Sequence, residues 1–121
     1  PSFVNSISTL NARDTLFIKA TGVSSFNQVD LVPRDGSLRA LSLSKGSNFV
    51  GYTGASGDAS AVLGGIAGLQ TAFRFDSATQ TWASYSPSSP SFVNTLKTVS
   101  RLDGLFLILD PASSWTYAEA P

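Results

Sequence analysis

The sequence is 121 residues long, enough for one domain with a modest core, and its 8 basic and 8 acidic residues leave a net charge of zero. That balance provides no field to draw the chain onto phosphate backbones or anionic lipid, so nucleic acid is excluded as an expected partner. Cysteine and histidine are both absent, which excludes disulfides, thiol nucleophiles, Cys- or His-ligated metals and an imidazole base.

Charged residues make up only 13% of the chain, about half the usual share, and Ser, Thr, Gly and Asn supply much of the polarity. This bias suits a β-rich extracellular or cell-surface protein. The chain starts at Pro1 and holds no methionine, which reads as a processed product or an excised piece. Its longest apolar stretch, residues 59–69, is interrupted by Gly64, Gly65 and Gly68 and is too short for a membrane span.

The first element is a duplication. Pro1, Ser2, Phe3, Val4 and Asn5 return as Pro90, Ser91, Phe92, Val93 and Asn94, and the match continues through Thr9 and Thr98, Asp14 and Asp103, Leu16 and Leu105, and Phe17 and Phe106. Ser24 and Ser25 return as Ser113 and Ser114, giving eleven identities over 26 gapless positions, too many for chance. The segments 1–28 and 90–117 are therefore read as copies around a unique centre, 29–89, within a single domain spanning 1–121. Either the copies occupy equivalent places in a pseudo-symmetric domain, or the first is the tail of a neighbouring module. Val4, Ile7, Leu10, Leu16, Phe17 and Ile18 favour the first reading, because an unpaired copy exposes a large apolar patch.

Residues 15–20 follow a turn at Arg13 and Asp14 and are expected to form a strand, as is their copy at 105–109. Thr15, Leu16, Phe17 and Ile18 are the candidate strand-pairing residues. Pro33, Arg34, Asp35 and Gly36 signal a turn, followed by a strand with Leu38, Ala40, Leu41 and Leu43. Residues 48–52 predict another strand. Asp58 is placed as the N-cap of one helix over 59–69, with Val62, Ile66 and Leu69 on one face. Phe73, Phe75, Trp82 and Tyr85 flank the polar run 76–80 and predict a hairpin. Residues 85–90 read as an extended polar connection, and Glu119 as part of a frayed tail. The fold class is mainly β (all-β or α+β), with antiparallel sheets or a barrel-like sandwich and one short helix.

The layout resembles a module that recurs in large extracellular proteins of bacteria and archaea. That module has a strand of the type Gly-Trp-Asn-Leu-hydrophobic-Gly, a short helix, an aromatic hairpin, a Pro-x-Phe-x-Asn-x-Leu stretch and a closing Gly-Asp strand. The matching stretches are 46–52, 58–69, 73–85, 90–96 and 102–107, with Phe106 and Phe17 where the module has its last Trp. The resemblance implies a modular surface or secreted protein and no assigned activity.

The remaining chemistry is thin. A carboxylate pair would have to come from Asp14, Asp30, Asp35, Asp58, Asp76, Asp103 and Asp110; Asp14, Asp35, Asp76 and Asp103 read as turn residues and Asp58 as a cap, so no catalytic residue, metal ligand or cofactor is assigned. Asp14 and Asp103 could each anchor a calcium ion, but a bond from each carboxylate to its own turn is the favoured use. The expected function is a non-enzymatic structural or assembly module of an adhesin, filament or surface array, with other copies of itself or neighbouring repeat modules as partners. Its N-terminal segment would complete a sheet by strand addition. The alternative is a carbohydrate-binding module that stacks glycan on Trp82, Tyr85, Trp115 and Tyr117, with Tyr52 as a further aromatic.

Overall fold

A computed structural model describes residues 6–11, 14–22, 25 and 36–120. Among them, alternating side chains and turn residues produce eight strands and one short helix. The strands are β1 (Leu38–Leu43), β2 (Gly46–Gly51), β3 (Gly57–Asp58), β4 (Leu69–Asp76), β5 (Thr81–Tyr85), β6 (Thr98–Val99), β7 (Gly104–Leu109) and β8 (Ser113–Ala118), and α1 spans Ala59–Leu63. All pairings are antiparallel. The main sheet runs in the order β2-β7-β4-β5, β1 pairs with β8 in a two-stranded ribbon, and β3 with β6 in a short one. The fold is mainly β, with no closed barrel among the described residues.

Period-two alternation divides each sheet into faces. In the main sheet Val50, Ala72, Tyr85, Leu105, Leu107 and Leu109 point to one side and are buried. In the ribbon Leu41 lies opposite Trp115 and Leu43 opposite Ser113, and Leu41, Leu43 and Trp115 join the same core. Leu63 fills it from the helix, Ile66 from the turn after the helix and Leu96 from the loop before β6. Burial of this set, at about 25 cal/mol per Å² of apolar surface, is the main stabilising term in a chain without disulfides.

The predicted hairpin forms, with Phe75 opposite Trp82 and the loop held by Asp76, whose Oδ1 accepts from the amides of Ala78 (2.9 Å) and Thr79 (3.4 Å). The strand following Gly36 forms as β1, and residues 46–51 form β2. The proposed turn at 33–35 lies outside the described residues, as do Pro1 to Asn5 of the first copy.

Five expectations are corrected. The helix has five residues and stops at Leu63 instead of continuing to Leu69. Gly64 and Gly65 weaken it by about 1 kcal/mol each, and Gly68 takes a φ of +75°, which is outside the helical region. Asp58 occupies the N-cap position but makes no side-chain cap, and the Ala59 amide donates to the Lys97 carbonyl at 2.8 Å. Residues 85–90 are not an extended connection: Ser89 N donates to Ser86 O at 3.2 Å, and Asn94 Oδ1 accepts from Ser86 N at 3.0 Å, folding the segment into a clasped loop. Glu119 is not frayed. It is 1% exposed, its amide donates to Ser37 O (2.9 Å), and Arg39 Nε donates to its Oε1 (3.0 Å).

The fifth correction concerns residues 15–20. Their copy is β7, which has β2 on one side and β4 on the other. Residues 15–20 themselves form no strand. A strand exists only where a neighbour takes its amide and carbonyl groups, and this segment instead crosses the sheet by side-chain contact.

Candidate functional site

Because the core takes one face of the main sheet, the alternate residues face away from it. Phe49, Phe106 and Phe73 stand on one rung across β2, β7 and β4, and Phe75 and Trp82 stand on the next across β4 and β5. Their rings touch in series. Phe49 and Phe106 lie 4.6 Å apart between centroids, Phe106 and Phe73 6.1 Å, Phe73 and Trp82 6.5 Å, and Trp82 and Phe75 5.2 Å. A polar surface is usual on the outward side of an antiparallel sheet. Here it carries five aromatic side chains, with Phe49 61% and Trp82 51% exposed.

Residues 15–20 lie on this face. The Phe17 ring meets Phe75 edge-on at 5.1 Å, and Thr15 covers Gly104, where a methyl group would collide with the Thr15 side chain. Together segment and sheet border a groove of about 890 Å³. Its polar end contains Arg74, whose Nη1 donates to Asp103 Oδ2 at 2.8 Å and to the Thr98 carbonyl at 2.9 Å. The segment leaves much of itself uncovered: Phe17 is 69%, Ile18 64% and Leu16 41% exposed.

The segment enters the face through a turn that recurs elsewhere in the chain. Asp14 Oδ2 accepts from Asn11 N at 2.8 Å, and Asp14 N donates to Asn11 O at 3.1 Å. Eighty-nine residues later Asp103 Oδ2 accepts from Ser100 N at 2.8 Å, and Asp103 N donates to Ser100 O at 3.0 Å, immediately before β7. Both carboxylates therefore serve their own turns.

The four aromatics put forward for stacking glycan do not share a surface. Trp82 stands on the outward face. Tyr85 is on the core side of β5 and is 8% exposed, and Trp115 is 5% exposed. Tyr117 is half-buried beside Trp115, at 4.8 Å between centroids, and its Oη lies 3.0 Å from Thr53 Oγ1. Tyr52 stacks on Trp115 at 5.5 Å with an interplanar angle of 7°, and its hydroxyl donates to the Ala55 carbonyl at 2.8 Å. Burial, with the neighbouring Tyr117 hydroxyl adding to it, pushes the Tyr52 phenol above its ordinary pKa.

Phe49, Phe73, Phe75 and Phe106 were not singled out together from the sequence. Their signal is in β7, where Leu105, Phe106, Leu107, Ile108 and Leu109 run without a polar residue. Such a run marks a strand that is apolar on both faces. No protein-family model matches the sequence, and comparison with curated proteins and with solved structures returns no match.

Proposed function

We propose that this chain is a non-enzymatic assembly module of a secreted or cell-surface repeat protein, and that the outward aromatic face of its main sheet is the surface by which it meets other copies of itself. The observation that carries the reading is the connected row of Phe49, Phe106, Phe73, Trp82 and Phe75 on a face with no second layer of sheet over it among the described residues. Contiguous exposed apolar surface of this kind marks a contact site, because leaving it in water is unfavourable. The same face already accommodates an aromatic segment of this chain, so its chemistry suits another copy. The absence of histidine and cysteine and the turn-bound state of Asp14 and Asp103 support a mechanical role over a catalytic one. The low charge and the resemblance to a recurring extracellular module support the location.

Sedimentation velocity over a range of concentrations tests this. The chain should associate as its concentration rises, and Phe49→Asp, at an exposed position outside the core, should abolish association while leaving the far-ultraviolet circular dichroism spectrum intact. A chain that stays monomeric up to roughly millimolar concentration, where even weak contacts of about 4 kcal/mol register, overturns the reading.

Trp82 beside Asp76 and Gln80 in the groove favours glycan stacking as the second reading. A glycan array with the parent chain and Trp82→Ala separates the two, since binding that is lost in the variant belongs to the glycan reading alone.

A further inference from the structure

Resting on the assembly reading, we infer that residues 14–20 form a detachable arm exchanged between two copies of this chain, each laying Thr15 and Phe17 over Gly104 and Phe75 of the other.

The arm is held weakly where it lies. Among the described residues, the hydrogen bonds of 6–20 are confined to the Asn11–Asp14 turn, so the arm reaches the sheet through side chains alone. The Thr15 hydroxyl is buried there without a hydrogen-bond partner, which lowers the return on that contact. Detaching the arm therefore breaks side-chain contacts, among them the Phe17–Phe75 ring pair and the packing of Thr15 on Gly104, and no sheet ladder. The chain between Gly22 and Gly36 is long enough to reach about 40 Å when extended, so an arm can arrive on a neighbouring copy.

The second copy is favoured as the arm's destination by what the present seating leaves undone. Phe17, Ile18 and Leu16 remain exposed on the arm, and Phe49 and Trp82 remain exposed on the sheet. Folding the arm back on its own sheet covers neither set. In a twofold pair each arm keeps the Phe17 and Thr15 contacts, while the two aromatic faces close over the rest. Exchange of an identical element costs little, because each interaction broken within one copy reforms between copies. The arm's order of residues adds a specific fit: Leu16, Phe17 and Ile18 repeat the Leu105, Phe106, Leu107 order of β7 after the same Asp turn, so one chemistry serves both the strand and the arm.

The chain has no cysteine, so introduced thiols are unique probes. The Thr15 Cβ lies 3.7 Å from the position of a Cβ on Gly104, within the range a disulfide needs. Full-length Thr15→Cys chains and Gly104→Cys chains are mixed and oxidised at a concentration where the chain associates. Exchange predicts a covalent heterodimer joined at these two positions, in several-fold excess over either homodimer. The double variant Thr15→Cys/Gly104→Cys should give a covalent dimer with both bridges between chains. To keep Gly104 intact, a spin label on Lys19→Cys in unlabelled chains is mixed with nitrogen-15 chains, and the amides of Gly104 and Phe75 should broaden across the interface. Bridges formed only within monomers, together with no broadening between chains, overturn the exchange. If that happens while sedimentation still shows association blocked by Phe49→Asp, the aromatic face stands and the arm does not exchange. A monomer at every concentration removes both.

Discussion

The sharpest separation between a core aromatic and a surface aromatic in this chain is that between Trp115 and Trp82. Replacing Trp115 with alanine removes an indole that is 5% exposed, stacks on Tyr52 at 5.5 Å and meets Tyr117 at 4.8 Å. A fully buried indole withdraws roughly 200 Å² from water, worth about 5 kcal/mol at 25 cal/mol per Å². A compact unfolded chain reduces that to about 4 kcal/mol. Trp82 is 51% exposed, so Trp82→Ala should cost no more than about half as much, near 2 kcal/mol. At about 4 °C per kcal/mol for a domain of this size, Trp115→Ala should lower the melting temperature by roughly 16 °C, or unfold the chain, and Trp82→Ala by about 8 °C at most. Far-ultraviolet circular dichroism is the appropriate probe, because each variant changes the tryptophan fluorescence. Equal losses for the two variants, or a greater loss for Trp82→Ala, would refute the division of the sheet into a core face and an open face.

The two Asp turns should differ in consequence although their hydrogen bonds match. Asp103→Ala removes a carboxylate that also binds Arg74 in a partly buried pair, and should cost about 2 kcal/mol in urea denaturation, whereas Asp14→Ala, at an exposed turn, should be within error of the parent. A large effect of Asp14→Ala alone would show that the arm contributes to global stability. The raised Tyr52 pKa also has a direction in stability. Below about pH 10 both folded and unfolded chains hold the phenolic proton, and as pH climbs further the unfolded chain releases it first, so stability should fall with rising pH through the folded pKa. Phenolate absorbance of the folded chain should show Tyr52 titrating late, and Tyr52→Phe should flatten the alkaline loss. An unchanged alkaline limb in Tyr52→Phe would assign the loss to another group.

Much of the architecture was legible locally. The hairpin over 73–85 follows from two aromatic runs around an Asp-led polar loop, and β1, β2 and β7 follow from alternation or from an unbroken apolar run bounded by turns. Only the hairpin rests on contacts between residues near in sequence; β1, β2 and β7 pair with distant strands and were legible through their local pattern alone. The helix was over-read because apolar spacing continued to Leu69 while Gly68 needed a positive φ, and Glu119 was misjudged because its partner Arg39 lies eighty residues away in sequence.

The sequence by itself determined the absence of thiol and imidazole chemistry, the β-rich class and the aromatic hairpin over 73–85. Only the tertiary structure decided which phase of each alternation meets the core. Period two gives every strand two faces without naming the covered one, and it is the ribbon of β1 and β8 and the helix segment that cover one face and leave Phe49, Phe73, Phe75, Trp82 and Phe106 outward. Residues 15–18 and 104–107 show the same limit. The patterns correspond, yet only the second is a strand, because sheet hydrogen bonds belong to pairs of strands and β2 and β4 flank β7 alone.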